Sequence, residues 1–181
     1  MRSVEKQVNR PASHSQLPRS TAPCLVLSGS DLSPESPCQA RDLKLAWGAG
    51  FIDGDGCICP VIQRHRGRKT PSIRIRVVIS QNDHFTLLSL KNILAERCSL
   101  TAPKRQGGQN RQPYVLTYDG KHAVAVIRKI LPYLVRKSAE ASGCLTLLEE
   151  GQLQRCPGPR GFPPEVLERR AYWVNRIRRM K

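Results

Sequence analysis

Hydrophobic and polar positions alternate most regularly in the stretch SIRIRVVIS, residues 72–80. Side chains two positions apart on a β-strand share a face, so the isoleucines and Val77 are expected to form part of a core. The opposite face is expected to carry Ser72, Arg74, Arg76, Val78 and Ser80. The pattern therefore predicts a strand with one buried face and one basic face.

Helical and alternating patterns elsewhere predict the remaining elements. Asp42 is the expected N-cap of the first helix, and the second helix is expected to use Phe85, Leu88 and Leu94 among its apolar positions. The predicted elements are a helix at about 43–52, strands at 57–62 and 72–80, a helix from 82 or 83 to about 97, strands near 100–105 and 113–118, and helices at about 121–131, 136–150 and 165–180. This order predicts an α+β fold with helices covering one face of a sheet.

Residues 1–42 are rich in Ser, Pro and Gln and show no sustained periodicity, so they are predicted to form a disordered extension. Residues 43–181 are predicted to form the folded domain. The extension carries five Lys/Arg and four Asp/Glu, whereas residues 43–181 carry 25 and 10. The anion-binding surface is therefore assigned to the domain.

A net charge of +16 indicates an anionic partner, with nucleic acid as the first candidate and an anionic membrane surface as the second. The sequence contains no run of about 18 uncharged apolar residues, so a membrane-spanning helix is not expected. The seven cysteines form no C-x-x-C pair, which favours free thiols in a reducing compartment over a zinc site or a disulfide framework.

The stretch LAWGAGFIDGDGCI, residues 45–58, places Asp53 and Asp55 at the end of a predicted helix. Negative charge is unfavourable there because the helix dipole is negative at its C-terminus. A calcium-binding EF-hand loop starting at Asp53 is excluded, since Cys57, Ile58 and Arg64 occupy positions that need other residues. Two interpretations remain open from the residues alone: a turn after a buried helix, and a divalent-metal site.

The segment GAGFIDGDG, residues 48–56, resembles the signature of the LAGLIDADG homing endonucleases. The order of predicted elements, PYLVRK before a long helix, and the late helix LERRAYWVNRI resemble the single-motif members of that family from plastid introns. The resemblance covers residues 43–178 and implies an αββαββα fold with a curved antiparallel sheet that forms a saddle over DNA. Since the motif occurs once, it also implies a homodimer packed through Gly48, Ala49, Phe51 and Ile52.

The resemblance further assigns roles at the candidate catalytic centre. Asp55 is the implied ligand of Mg²⁺ or Mn²⁺, with the carbonyl of Gly54 also facing the ion. Gln81 corresponds to a polar residue that organises catalytic water, and Lys137 to a basic residue that polarises water or stabilises the transition state. Asp53 is expected to have a structural role at the helix end.

The basic sheet face is expected to read the major groove of double-stranded DNA, because arginine can pair with guanine and glutamine with adenine. Between residues 57 and 118 there are 11 Lys/Arg against two Asp/Glu. The predicted DNA-binding residues on the strands and turns are Val61, Gln63, His65, Arg66, Arg68, Ser72, Arg74, Arg76, Val78, Ser80, Lys104, Arg105 and Arg111.

The preferred hypothesis is a site-specific DNA endonuclease that promotes the mobility of its own intron. The alternative is an RNA-splicing maturase of a group I intron on the same fold, and a third possibility is a DNA-binding regulator that does not cut. An organelle, either chloroplast or mitochondrion, is the favoured compartment, and a bacterial or phage origin also fits free cysteines in a mobile element.

Overall fold

The computed structural model describes residues 37–66, 70–104, 111–155 and 161–180, all within one unit, Glu35–Lys181. Helices and strands follow one another in the predicted order. Their bounds are α1 Pro37–Asp55, β1 Gly56–Gln63, β2 Ser72–Gln81, α2 His84–Leu94, β3 Ser99–Thr101, β4 Tyr114–Asp119, α3 Lys121–Ile130, a 3₁₀ turn Leu131–Tyr133, α4 Ser138–Glu150 and α5 Pro164–Arg179. The predicted α+β class is confirmed.

The four strands of the described residues form one antiparallel sheet in the order β1-β2-β4-β3. On β2 the side chains of Ile75, Val77 and Ile79 are buried, while Arg74 and Ser80 are exposed. The two faces predicted from the alternation are therefore confirmed. Strand β1 lies at an edge of this sheet, which suits Pro60, a residue that has no N–H to give to a neighbouring strand.

The core lies between the buried sheet face and the helices. Helix α1 contributes Ala49 and Ile52, which are fully buried together with Leu90 of α2 and Ile127 of α3. Gly48 allows the close approach of α2, because a Cβ at this position would lie 3.2 Å from Leu90 Cδ1. Close helix packing in the core therefore depends on a small residue in the motif.

The turn from α1 into β1 also requires a glycine. A Cβ on Gly56 would lie 2.7 Å from the carbonyl oxygen of Ile52, which is closer than side chains tolerate. The last residue of the motif thus lets the chain leave the helix and enter the sheet without an intervening loop. Because of this tight connection, the acidic end of α1 lies directly beside the start of β1.

The predicted start of the first helix was wrong. Helix α1 begins at Pro37, six residues before the predicted start, so Asp42 lies inside the helix and is not its N-cap. Its carboxylate instead accepts a hydrogen bond from Tyr133 Oη at 3.0 Å. Proline suits the first turn of a helix because its fixed φ is helical and its missing N–H is not needed there. Residues 1–36 lie outside the described residues, so the extension stays a prediction for them.

The predicted apolar face of α2 was wrong in part. Phe85 is 78% exposed, whereas Leu87, Leu90 and Leu94 are fully buried. Asp83 caps the helix as expected, with its side chain accepting from the N–H of Phe85. This cap fixes the start of the helix and places Phe85 in the first turn, on the side away from the core. The strand predicted near 100–105 is also shorter, Ser99–Thr101.

Candidate metal and DNA-binding site

The end of α1 brings Asp55 to the end of β2. Asp55 is the last residue of the helix, and its carboxylate is exposed. Gln81, the last residue of β2, donates a hydrogen bond from Nε2 to Asp55 Oδ2 at 2.6 Å. Gln81 Oε1 in turn accepts from the N–H of Asn82 at 3.1 Å, which fixes the orientation of the amide. Two residues predicted to share a site are thus in direct contact.

Asp53 has a different set of partners. Its carboxylate accepts from the backbone N–H groups of Val135, Arg136 and Lys137, at 2.7, 3.1 and 2.9 Å. Burial alone would raise the pKa of Asp53, but these three donors and the nearby Lys137 ammonium together hold the pKa below its ordinary value. Asp53 therefore joins α1 to the start of α4, as expected for a structural residue.

Lys137 supplies the positive charge at the end of α1. Its ammonium donates to the carbonyl oxygens of Ile52 at 2.8 Å and Asp53 at 2.6 Å, and it lies 3.4 Å from that of Gly54. The side chain is buried, and burial lowers the pKa of Lys137 from its ordinary value. A cation beside unpaired C-terminal carbonyls offsets the negative end of the helix dipole. This contact explains how two aspartates are tolerated there.

The oxygen donors at this helix end match the preference of Mg²⁺ for carboxylate and carbonyl ligands. Asp55 offers an exposed carboxylate, and the Gly54 carbonyl retains capacity beyond its long contact with Lys137. Within the described ranges, no group of three or more His, Cys, Asp or Glu side chains could hold a metal ion.

The sheet face opposite the core carries most of the predicted DNA-binding positions. Cross-strand partners share a face, and the register pairs Gln63 with Ser72, Val61 with Arg74 and Val78 with Thr117. His65 and Arg66 are exposed just beyond β1, and His65 Nε2 lies 2.9 Å from Ser72 Oγ. Lys104 and Arg111 are exposed beyond β3 and before β4, while Arg68 and Arg105 lie outside the described residues.

Sequence reasoning missed the contribution of β4 to this face. Arg76 Nε and Nη2 donate to the two carboxylate oxygens of Asp119, at 2.6 and 3.0 Å. The alternation in YVLTYD contained the signal, since Leu116 and Tyr118 are buried and Asp119 is on the other side. The face therefore contains an acidic residue among its arginines.

The predicted dimer-interface residues of α1 differ in their burial within the protomer, and their part in an interface stays a prediction. Gly48, Ala49 and Ile52 are buried inside the protomer. Phe51 is partly buried and stacks on Trp47, with 5.6 Å between ring centroids. Among the exposed residues of α1, Leu43, Trp47, Gly50 and Gly54 have the spacing of one helical face. Helices α2 and α3 contact α1 on the side that carries the buried residues.

Comparison with known proteins gives one curated relative and several solved structures. No family model matches the chain. The chain is 33% identical over 111 residues to DNA endonuclease I-CvuI from Chlorella vulgaris, a match that covers 60% of this chain and 65% of the relative. The aligned part is therefore just under two thirds of that relative.

Solved structures match a larger share of the chain. A crystal structure of the homing endonuclease I-CvuI with its target in the presence of Ca superposes with a TM-score of 0.63 and 27% identity, covering 78% of this chain and 84% of that chain. The archaeal intron-encoded homing endonuclease I-Vdi141I complexed with DNA gives a TM-score of 0.62 at 16% identity, covering 77% and 85%, which is a likeness of fold.

The likeness to I-CvuI holds in both fold and sequence. The chain has the LAGLIDADG homing-endonuclease fold and carries a single motif, GAGFIDGDG. The helices of the described residues include none long and apolar enough to cross a membrane.

Proposed function

We propose that this protein is a site-specific double-strand DNA endonuclease that requires Mg²⁺ or Mn²⁺ and promotes the mobility of an intron. The observation that carries the proposal is the exposed Asp55 carboxylate, held by Gln81 at the end of the strand that presents Arg74. A phosphodiester lying along the basic face would therefore pass close to the acidic helix end.

The proposal includes a homodimer. One protomer offers one exposed motif carboxylate, whereas a metal-dependent centre on this scaffold needs more oxygen ligands. The outward face of α1, composed of Leu43, Trp47, Gly50 and Gly54, leads directly to Asp55. Glycines on this face allow two helices to approach closely, which would place the Asp55 residues of two copies together. A two-fold dimer implies a long, near-palindromic target.

Each residue of the helix end has a distinct task in this mechanism. Asp55 and the Gly54 carbonyl would hold the ion, which supplies charge neutralisation and an activated water when bound. Gln81 fixes the orientation of the Asp55 carboxylate by its 2.6 Å hydrogen bond. Lys137 keeps the helix end intact through its carbonyl contacts, so its effect on the reaction is exerted through the position of Asp55.

The test is cleavage of a duplex that carries the intronless form of the host gene. Defined cuts with Mg²⁺, and binding without cuts when Ca²⁺ replaces it, support the proposal. Asp55→Asn should bind the duplex without cutting it, and Glu149→Gln is its matched control, because Glu149 is an exposed acid on α4. Binding without cleavage in Mg²⁺, together with restored intron splicing, would overturn the endonuclease in favour of the maturase.

The dimer is tested separately by the molar mass in solution, with and without the duplex. Trp47→Glu would place a charge on the outward face of α1, where Trp47 is 45% exposed. We expect the wild-type mass on DNA to be that of two chains and the variant to lose cleavage with little loss of folding. A wild-type protein that cuts both strands as a single chain would contradict the homodimer.

A further inference from the structure

Arg76 and Asp119 face each other directly across β2 and β4, on the sheet face that carries Arg74. The contact is bidentate, with Arg76 Nε to Asp119 Oδ1 at 2.6 Å and Nη2 to Oδ2 at 3.0 Å. The two side chains are 32% and 39% exposed, so solvent and any ligand of this face can reach them. The pair therefore lies in the surface assigned to DNA.

Folding stability does not explain why position 119 carries a carboxylate. Exposed ion pairs contribute little to folding stability, because solvent screens them and both side chains lose freedom. A negative charge also opposes the approach of a polyanion to the face. An effect on how Arg76 meets DNA accounts for the carboxylate better than an effect on folding does.

The geometry of the pair leaves a defined set of donors on Arg76. A guanidinium has five N–H groups in a fixed plane, and Asp119 occupies the edge formed by Nε and one hydrogen of Nη2. Among the residues that the structure describes, no hydrogen bond occupies the end of the guanidinium formed by Nη1 and the other hydrogen of Nη2. That end matches the O6 and N7 acceptors of guanine in the major groove.

Arg74 provides the contrast on the same strand. It is exposed and, across the described part of the chain, makes no ion pair. A free arginine can follow phosphates or bases with several rotamers, whereas Arg76 is held in one orientation. Preorganisation of one donor pair raises selectivity, because no rotamer freedom is lost on binding.

We propose that Asp119 is a positioning residue that fixes Arg76 as the reader of one guanine in each half-site. The inference rests on the proposed function, since it requires that the sheet face binds duplex DNA. Loss of the carboxylate frees Arg76 to move and removes a negative charge from the face. Base selectivity and general DNA affinity should therefore change in opposite directions.

The test is selection of bound sequences from a randomised duplex library by the full chain, with Ca²⁺ in place of Mg²⁺. Wild-type protein should select guanine at one symmetric position. Asp119→Asn should reduce that preference about tenfold, the size of one bidentate base contact, while affinity for unrelated duplex rises. Arg76→Ala should lose the same preference, and the double variant should lose no more. Glu149→Gln, which changes charge equally, should leave the preference unchanged.

The other possible outcomes would contradict either the inference or the proposed function. An unchanged guanine preference in Asp119→Asn overturns the inference and leaves the endonuclease intact. An equal loss of preference at every position indicates damage to the sheet and also overturns it. Asp119→Ser provides a second variant, and thermal unfolding of both checks that each is folded. A wild-type protein that selects no sequence would overturn the proposed function itself.

Discussion

Asp53 and Asp55 stand two residues apart at the end of α1, yet their surroundings differ completely. Asp53 accepts three backbone hydrogen bonds from the start of α4, whereas Asp55 is exposed with Gln81 as its hydrogen-bond partner. A helix turns by about 100° per residue, so two positions apart lie on nearly opposite sides. One side faces α4 and the other the end of β2. Similar carboxylates thus become a structural link and a candidate metal ligand.

Asp55→Asn should have the largest effect of all, and that effect is on the rate of DNA cleavage. The substitution keeps the shape of the side chain and removes the charge that a cation requires. We expect cleavage to fall by about a thousandfold or more, since metal assistance contributes several kcal/mol to the barrier. Thermal unfolding should be almost unchanged, because the side chain is exposed. If the variant cleaves DNA near the wild-type rate, Asp55 is not a required residue of the catalytic centre.

Lys137→Met should have the largest effect on stability. The variant leaves the carbonyls of Ile52 and Asp53 without their buried donor, so we expect the free energy of unfolding to fall by about 3 kcal/mol. Lys91→Met is the matched control, since Lys91 is exposed on α2. Urea unfolding measures both. Equal stability of the two variants would show that the ammonium does not hold the helix end together.

Asp53→Asn should destabilise the protein by about 2 kcal/mol at neutral pH, because the amide is a weaker acceptor for the three N–H groups. The folded-state pKa of Asp53 is lowered, so its contribution is present at neutral pH and lost as pH falls below about 4. The unfolding midpoint should therefore fall less steeply with acid in the variant than in the wild type. Parallel curves would contradict this assignment.

Gln81→Ala should have the smallest effect of the four. It removes the 2.6 Å hydrogen bond that orients Asp55, for an expected loss of about tenfold in cleavage and little change in stability. Gln154→Ala changes an exposed glutamine far along the chain and should leave the cleavage rate as it is. If Gln81→Ala cuts as fast as that control, Asp55 is oriented without it.

Much of the fold followed from local patterns. The alternation in residues 72–80 identified both faces of β2, and the cap at Asp83 placed the start of α2. The single motif indicated the LAGLIDADG homing-endonuclease fold and drew attention to Asp55. The first residue of α1 was missed because Pro37 begins a helix whose first turns lie in a polar, Pro-rich stretch without apolar periodicity. Such patterns reflect interactions between residues close together in the sequence, so they predict local structure only.

Contacts between distant residues were beyond such reasoning. The sequence supplied Lys137 and Asp53, but 84 residues separate them, and only the packed α1 and α4 bring the ammonium to the helix end. Similarly, the inward side of α1 could be recognised as Gly48 and Ala49 only once α2 and α3 were in place. The sequence by itself determined element types, charge and the motif, because these depend on local periodicity and composition. The tertiary structure decided that Asp53 accepts three backbone hydrogen bonds while Asp55 remains exposed, because that depends on what packs against each side of one helix.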